Sequence, residues 1–233
     1  MIKRILMAGI MAVTIVSLVA LPVFAGDFAV KNWRVFNVMP DTAKFWDINP
    51  VKNTDGVIQF PIQKFDSKTT GSFAVYFLAN YNVDLTSKTM ATDVLWTQGT
   101  YQTRSTVHPG AYVRFWFQDV ASGPYDVNDY WWSTGANSLD LNAANAGDLA
   151  VSLADRSLWT NMAGMSATDT DPHTGWVDWN GNGIKESPYD GFTKAMHDVK
   201  QLGLSFGSSG SYASGVAMDG GVGAFTVSSF TIN

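Results

Sequence analysis

The feature that most constrains the fold is a strict alternation of side chains between residues 112 and 118. Val113, Phe115 and Phe117 are apolar, and the positions between them carry aromatic and polar side chains in turn. Successive side chains of a β-strand point to opposite faces of its sheet, so the pattern predicts a strand with one face in the core. The other face carries more aromatic surface than a solvated face needs, which predicts either a binding groove or further packing.

We predict a ligand-binding site on that second face, because flat aromatic rings stack on the apolar faces of sugars and polar groups bind their hydroxyls. The candidate residues are Tyr112, Arg114, Trp116, Gln118, Tyr130 and Trp132. Asn128 and Asp129 are further candidates for hydroxyl contacts. Trp131 and Trp132 are adjacent on one strand, so at most one of them belongs to the site. The alternative is that these rings are buried, with their polar tips hydrogen-bonded.

The composition favours an all-β, loop-rich protein. Glu186 is the only glutamate, and aspartate, which favours turns over helices, supplies every other acidic residue. A two-glutamate catalytic mechanism is therefore excluded. The absence of cysteine excludes disulfide stabilisation. A net charge of −5 gives no electrostatic basis for binding nucleic acid.

Short apolar segments separated by turns predict a β-sandwich. A short helix is predicted to begin at Ser187-Pro188, since proline suits the first helical position. Pro61 predicts an edge position for its strand, and a phase shift at Ser228-Ser229 predicts a β-bulge. The predicted strands cover residues 28–38, 57–65, 73–83, 89–97, 111–120, 138–141, 148–153, 199–206 and 223–232.

The N-terminal residues 1–25 have the order of a signal peptide. Lys3 and Arg4 precede an apolar run, and Val23-Phe24-Ala25 supplies small residues for cleavage. The alternative is an uncleaved anchor, because the run approaches the length of a membrane span. Cleavage near Ala25 predicts a secreted or periplasmic domain of residues 26–233 with no membrane span.

The end of the chain resembles a jelly-roll carbohydrate-binding module of the galactose-binding-like group. The resemblance rests on VKQLGLSFG at residues 199–207, GAFTVSSFTI at 223–232, the order of the strands and the helix-bearing loop. It implies a jelly-roll β-sandwich that binds polysaccharide without catalysis and often holds one structural calcium ion. The sequence contains no diagnostic sugar-binding motif of that group.

The sharpest local motif is DWNGNGIKE at residues 178–186. Asp178, Asn180, Asn182, the carbonyl of Ile184 and Glu186 occupy positions 1, 3, 5, 7 and 9 of a calcium loop, with glycine at position 6. Tyr189 stands at position 12, where an EF-hand has glutamate. The motif therefore predicts either a calcium loop of an extracellular β-domain, with Asp169 and Asp171 as further ligands, or an ordinary Asn-Gly turn.

Catalytic motifs are weak. His108, His173 and His197 share no metal-ligand spacing, and no G-x-S-x-G motif is present. Asp140 and the Asp155-Arg156 pair are more typical of structural contacts than of an acid pair.

The leading hypothesis is an exported, non-catalytic carbohydrate-binding domain with a calcium-stabilised loop. The first alternative is a structural cell-surface or matrix protein that contacts other proteins. The second is an aspartate-dependent polysaccharide-degrading enzyme.

Overall fold

The structure, a computed structural model, describes residues 33–38, 45–48, 52–54, 57–65, 73–120, 126–172 and 186–233. Over these residues the chain is an all-β, antiparallel sandwich with one short helix. The predicted signal peptide and residues 178–184 of the predicted calcium loop lie outside the described residues.

Fifteen strands and the helix make up the described architecture. The first eight strands are β1 (Trp33–Val38), β2 (Phe45–Ile48), β3 (Lys52–Thr54), β4 (Val57–Ile62), β5 (Phe73–Val83), β6 (Thr89–Trp96), β7 (Tyr101–Thr103) and β8 (Tyr112–Gln118). They are followed by β9 (Tyr130–Ser133), β10 (Ser138–Asp140), β11 (Ala146–Ser152), β12 (Trp159–Asn161), helix α1 (Pro188–His197), β13 (Val199–Gly207), β14 (Val216–Met218) and β15 (Gly223–Ile232).

The strands form two sheets. The larger sheet has the order β12-β9-β8-β13-β5-β1-β2, with β10 paired to β8 and β14 paired to β5 and β7. The smaller sheet has the order β11-β6-β15-β4-β3. The long-range pairing of β8 with β13 places the middle of the chain beside its C-terminal part.

The core lies between the two sheets and follows the alternation in the sequence. From the larger sheet, Phe115, Phe117 and Leu204 are fully buried, and from the smaller sheet Phe60 and Phe225 are buried. Edge-to-face contacts between rings, such as Phe206 with Phe225 at 5.0 Å, fill this space. Apolar burial on this scale replaces the disulfide bonds that the chain lacks.

Helix α1 closes one end of the core. Ser187 caps it, its Oγ accepting a hydrogen bond from the amide of Asp190 at 3.1 Å, and Pro188 is the first helical residue. Phe192 is fully buried and packs edge-on against Trp131 at 4.9 Å. The predicted helix start is confirmed; the helix ends at His197, and Val199 opens β13.

Two predictions for the smaller sheet, a β-bulge in its last strand and an edge position for the strand of Pro61, have different outcomes. The register of β15 with β6 shifts between Val227 and Ser229, so the predicted bulge is confirmed. The edge position predicted for the strand of Pro61 is wrong: β4 pairs on one side with β15 and on the other with β3, which is the edge strand. Strand β3 reaches only residues 57–59 of β4, so Pro61 lies beyond that pairing, where its missing N–H costs no ladder bond.

Of the helices in the described ranges, none combines the length and apolarity that a membrane crossing requires.

Candidate functional site

The candidate site lies on the outer face of the larger sheet, opposite the core. Alternation in β8 directs Arg114 and Trp116 outward, and Trp116 pairs in register with Trp132 of β9. Trp116 and Trp132 form a hydrophobic cluster separate from the main core, with Tyr130 and Tyr212 packed against it. We call Arg114, Trp116, Tyr130, Trp132 and Tyr212 the outer-face cluster.

A loop covers this cluster instead of leaving it open. Residues 208–215, SSGSYASG, connect β13 to β14, and we call them the serine loop. The loop lies directly on the sheet at Gly207, where an added Cβ would come within 2.3 Å of the Ser211 carbonyl oxygen. A side chain at this position would lift the loop from the sheet.

Hydrogen bonds inside the serine loop hold its shape. Ser208 is the centre: its amide donates to the Ser211 carbonyl at 3.0 Å, and its Oγ accepts from the Ser211 amide at 2.9 Å. The Ser214 Oγ also accepts from the Ser208 amide, at 3.2 Å. These short-range bonds need only small polar residues, which explains the composition of the loop.

One relay ties the loop to the outer-face cluster. The Trp132 indole Nε1 donates to Ser205 Oγ at 3.0 Å, and Ser205 Oγ donates to the Tyr212 carbonyl at 2.8 Å. Trp132 is also stacked on Tyr130, with ring centroids 5.9 Å apart. Trp132 is therefore fixed by a hydrogen bond at its polar tip and by a ring on one face.

Arg114 is fully buried beneath the serine loop. Its guanidinium carbon lies 4.0 Å from the centroid of the Tyr212 ring and 5.8 Å from that of Tyr112. Within the described residues its Nε and both Nη atoms have no hydrogen-bond partner. Burial lowers the pKa of Arg114 to about 10, so the side chain is charged at neutral pH.

A cavity of about 360 Å³ opens beside the cluster, between the serine loop and the turn that follows β12. Trp132 and Tyr212 supply its aromatic lining, Met162 also lines it, and Ser211 and Ser214 supply hydroxyl groups. We call this cavity the groove. Met162 is exposed. The groove thus combines apolar surface with hydroxyl groups, as a site for a small polar ligand requires.

The six predicted ligand-binding residues lie on the outer face, but only Trp132 lines the groove. Arg114, Trp116, Gln118 and Trp132 are buried, whereas Tyr112 and Tyr130 are half-buried. Gln118 donates to Gln201 Oε1 at 2.9 Å and to the Val120 carbonyl, in a row of side-chain amides across the sheet. The outer face is therefore not an open aromatic strip.

Three residues close to Trp132 in sequence do not belong to the groove. Trp131 points into the core, so of the two adjacent tryptophans only Trp132 is on the outer face. Asn128 and Asp129 are buried, and Asn128 Oδ1 accepts from Asn161 Nδ2 at 2.8 Å. These two side chains serve local structure and do not line the groove.

Sequence reasoning missed Tyr212, Ser211, Ser214 and Met162 as site residues. The serine loop is predicted only as a connection, because its pattern contains no alternation. The one available signal is Tyr212, a single large side chain between small ones.

A second polar region lies where β8 ends and α1 begins. Asp119 Oδ2 is 3.9 Å from Lys194 Nζ, and the Asp119 side chain is only 7% exposed. Burial, followed by the negative charge of Asp129, raises the pKa of Asp119 to about 7. Burial also raises the pKa of Asp129.

Glu186 belongs to the same region and is the one predicted ligand of the 178–186 motif among the described residues. It is half-buried; burial, and then the charges of Asp126 and Asp190, raise its pKa. Burial alone would lower the pKa of Lys194, but the surrounding carboxylates together raise it. Within the described ranges, no three carboxylate or histidine side chains converge into a metal site on their own.

The other polar residues considered for catalysis make structural contacts. Asp155 accepts from the Ser157 amide at 3.1 Å, and Arg156 donates to the Tyr189 carbonyl at 2.9 Å and packs over the Tyr189 ring. His197 lies 3.1 Å from Asp84 on the surface. His173 lies outside the described residues.

The comparisons with known proteins add no family: no protein-family model matches the chain, and no curated protein is significantly similar to it.

Proposed function

We propose that this chain is an exported carbohydrate-binding domain that holds a saccharide in the groove beside Trp132. The observation that carries the proposal is the groove itself, where a tryptophan and a tyrosine stand beside serine hydroxyls. Saccharides present apolar C–H faces and a ring of hydroxyl groups, so they require this mixture of surfaces. The groove volume accommodates a few sugar units, not a large apolar ligand.

The proposal gives the aromatic residues of the outer face a different role from the one predicted from the sequence, in which they stack on the ligand. Trp132 is held rigidly by Ser205 and Tyr130, so it forms a fixed wall of the groove. A fixed aromatic wall binds with little loss of conformational entropy. Tyr112, Trp116 and Tyr130 then support Trp132 and the sheet instead of stacking on the ligand.

The experiment compares two matched substitutions in the serine loop. Ser211 lines the groove, whereas Ser209 is exposed and does not. Ser211→Phe fills the groove and is expected to weaken binding of a saccharide identified on a glycan array by about tenfold or more. Ser209→Phe leaves the affinity unchanged. Isothermal titration measures both, and thermal melting establishes that both variants are folded.

Equal affinities of the two variants would place saccharide binding elsewhere. A failure of the wild-type protein to bind any saccharide on the array would reject carbohydrate binding altogether.

We also propose that residues 178–186 bind a calcium ion. The support from the described residues is electrostatic: the negative charges of Asp126, Asp190 and Asp129 act on Glu186 and contribute to its raised pKa. Hard divalent cations prefer such oxygen ligands. Asp178, Asn180, Asn182 and the Ile184 carbonyl would supply the other ligands, and the ion would stabilise the loop and offset the local negative charge.

Thermal unfolding with calcium or with chelator tests this metal. At a calcium concentration about 100 times Kd, linkage adds about 2.7 kcal/mol, which raises Tm by about 5–10 °C for a chain of this size. Asp178→Ala is expected to abolish the shift, and Asp219→Ala, a substitution of an exposed aspartate outside the motif, to keep it. An equal Tm with and without chelator would reduce the motif to an Asn-Gly turn.

Export rests on the N-terminal sequence and has its own test. Cleavage near Ala25 predicts a mature N-terminus at Gly26, which mass spectrometry of the protein from the extracellular or periplasmic fraction measures. An intact N-terminus in a membrane fraction would support the uncleaved anchor instead.

The two alternative functions receive no specific support from the described residues. The exposed large apolar side chains, such as Leu95 and Val222, come from separate segments, as on an ordinary protein surface. The carboxyl groups of Asp119 and Asp129 interact within one buried cluster. Glycosidases instead hold two carboxyl groups about 5–10 Å apart on either side of the substrate.

A further inference from the structure

We propose that the saccharide bound in the groove is acidic, and that Arg114 binds its carboxylate or sulfate group after the Tyr212 side chain moves aside. This inference rests on the proposed function and names the ligand class for the same groove. Tyr212 connects Arg114 with the groove, because its ring lies 4.0 Å from the Arg114 guanidinium and also lines the groove.

The first step of the argument is the state of the Arg114 side chain. A guanidinium carries five N–H donors, and burying one without acceptors is costly. Arg114 is 0% exposed, and within the described ranges no acceptor meets its nitrogen atoms. A charge-assisted bond to a carboxylate or sulfate is the strongest interaction that those donors can make.

The second step is the charge around Arg114. Among the described residues, Tyr212 and Tyr112 are the ionisable side chains that act on the pKa of Arg114 besides burial, and no described carboxylate does. The chain as a whole has a net charge of −5. A buried positive charge without a counter-charge attracts an anion locally, although the net negative charge of the protein would repel one.

The third step is access. The Tyr212 ring contacts Arg114 and Trp132, and the hydrogen bond to Ser205 engages only the Tyr212 backbone. The ring can therefore rotate away without breaking the bonds that hold the serine loop. The groove lies next to the ring, because Tyr212 lines it together with Ser211 and Ala213. A saccharide already in the groove would then place an acidic substituent next to Arg114.

A purely structural role for Arg114 is the competing explanation. In that role the guanidinium only anchors the loop through its contact with Tyr212, an interaction of about 0.5–2 kcal/mol. A residue that only anchors the loop has no need of buried N–H donors that lack acceptors. A neutral residue such as methionine would pack against Tyr212 equally well. The two explanations predict different ligand preferences.

The experiment uses paired saccharides that differ only in charge. Tetragalacturonate is compared with its methyl ester, and a sulfated galactan oligosaccharide with its desulfated form. We expect the wild-type protein to bind one charged member about tenfold or more tightly than its uncharged partner at 0.15 M salt, because one charge-assisted bidentate contact is worth about that factor. The pair that shows the preference identifies the anion as carboxylate or sulfate.

Three variants assign the preference to Arg114. Arg114→Met is expected to erase the preference for the charged partner, and Arg114→Lys to retain part of it. Arg156→Met is the matched control, because Arg156 already donates to Tyr189 and Thr193. If Arg114→Met fails to fold, the wild-type pairs and Arg114→Lys still decide the question.

The outcomes separate the two proposals. Equal wild-type affinities within both pairs, or a preference that survives in Arg114→Met, would overturn the role of Arg114 and leave saccharide binding in the groove intact. Binding of no member of either pair, together with an empty glycan array, would overturn both.

Discussion

The two faces of strand β8 are both buried, but different partners bury them. On the inner face, Phe115 and Phe117 pack against apolar side chains of the opposite sheet. On the outer face, Arg114 and Trp116 lie beneath a loop of small polar residues. The inner-face side chains are apolar and need no hydrogen-bond partners, whereas Arg114 keeps its donors without acceptors in the described structure.

This difference separates residues that stabilise the protein from residues that are available to bind. Burying a phenylalanine is favourable in itself, whereas burying an unpaired guanidinium is not. Natural proteins hold such locally unfavourable arrangements mainly where function uses them. The outer face is therefore the side of the sheet where we place the ligand, although the inner face contains more aromatic rings.

The largest expected effect contrasts the two faces directly. Phe115→Ala removes a fully buried ring and is expected to lower the free energy of unfolding by about 3–5 kcal/mol. Arg114→Met, at the preceding position, is expected to lower the free energy of unfolding by no more than about 1 kcal/mol. It is also consistent with the account if this variant is more stable than wild type, because the buried charge is removed. Urea unfolding measures both. A loss with Arg114→Met as large as that with Phe115→Ala would erase the contrast.

An intermediate effect is expected where the loop contacts the sheet. Gly207→Ala places a methyl group against the backbone of Ser211 and Tyr212, so it is expected to cost about 1–3 kcal/mol and to lift the serine loop. Quenching of tryptophan fluorescence by iodide should increase as the outer-face cluster is exposed. Gly221→Ala is the control, because its added Cβ meets no atom within 4 Å. Equal quenching of both variants would mean that the loop does not cover the cluster.

The third effect depends on pH and concerns the buried carboxyl group of Asp119, just beyond β8. The pKa of Asp119 is raised from 3.8 to about 7 in the folded protein, so the folded state keeps a proton that the unfolded state has lost. Stability is therefore expected to fall as pH rises from about 4 to about 7. Asp119→Asn should reduce this slope and should be more stable than wild type at pH 7. Urea midpoints at several pH values, with chelator present, measure it; a rise in stability over this range would contradict the assignment.

Much of the fold could be predicted because its long strands have a strong pattern. The alternation in β8 and β13 and the phase shift in β15 each require only local sequence, and the structure has them at the predicted places. The shorter strands β2, β3, β7, β12 and β14 were not predicted, because three or four residues do not establish a period. Strands β7 and β14 also pair with each other across a long stretch of sequence, which no local pattern predicts.

The site was predictable in part for the same reason. Alternation correctly grouped Arg114, Trp116 and Trp132 on one face, but it could not determine whether that face is open. The serine loop covers that face, and it reaches the face because β13 pairs with β8. The loop begins more than seventy residues after Trp132 in sequence, so a local pattern cannot predict the cover. Tyr212 thus becomes a site residue through tertiary structure alone.

The most direct test of the binding face is a titration of the ¹⁵N-labelled mature protein with the saccharide followed by two-dimensional NMR. The indole N–H of Trp132, assigned with Trp132→Phe, should shift together with the amides of Ser211, Tyr212 and Ser214. The indole of Trp131, which points into the core from the same strand, should not shift. Shifts confined to the smaller sheet, or an unchanged Trp132 indole at saturation, would contradict the account.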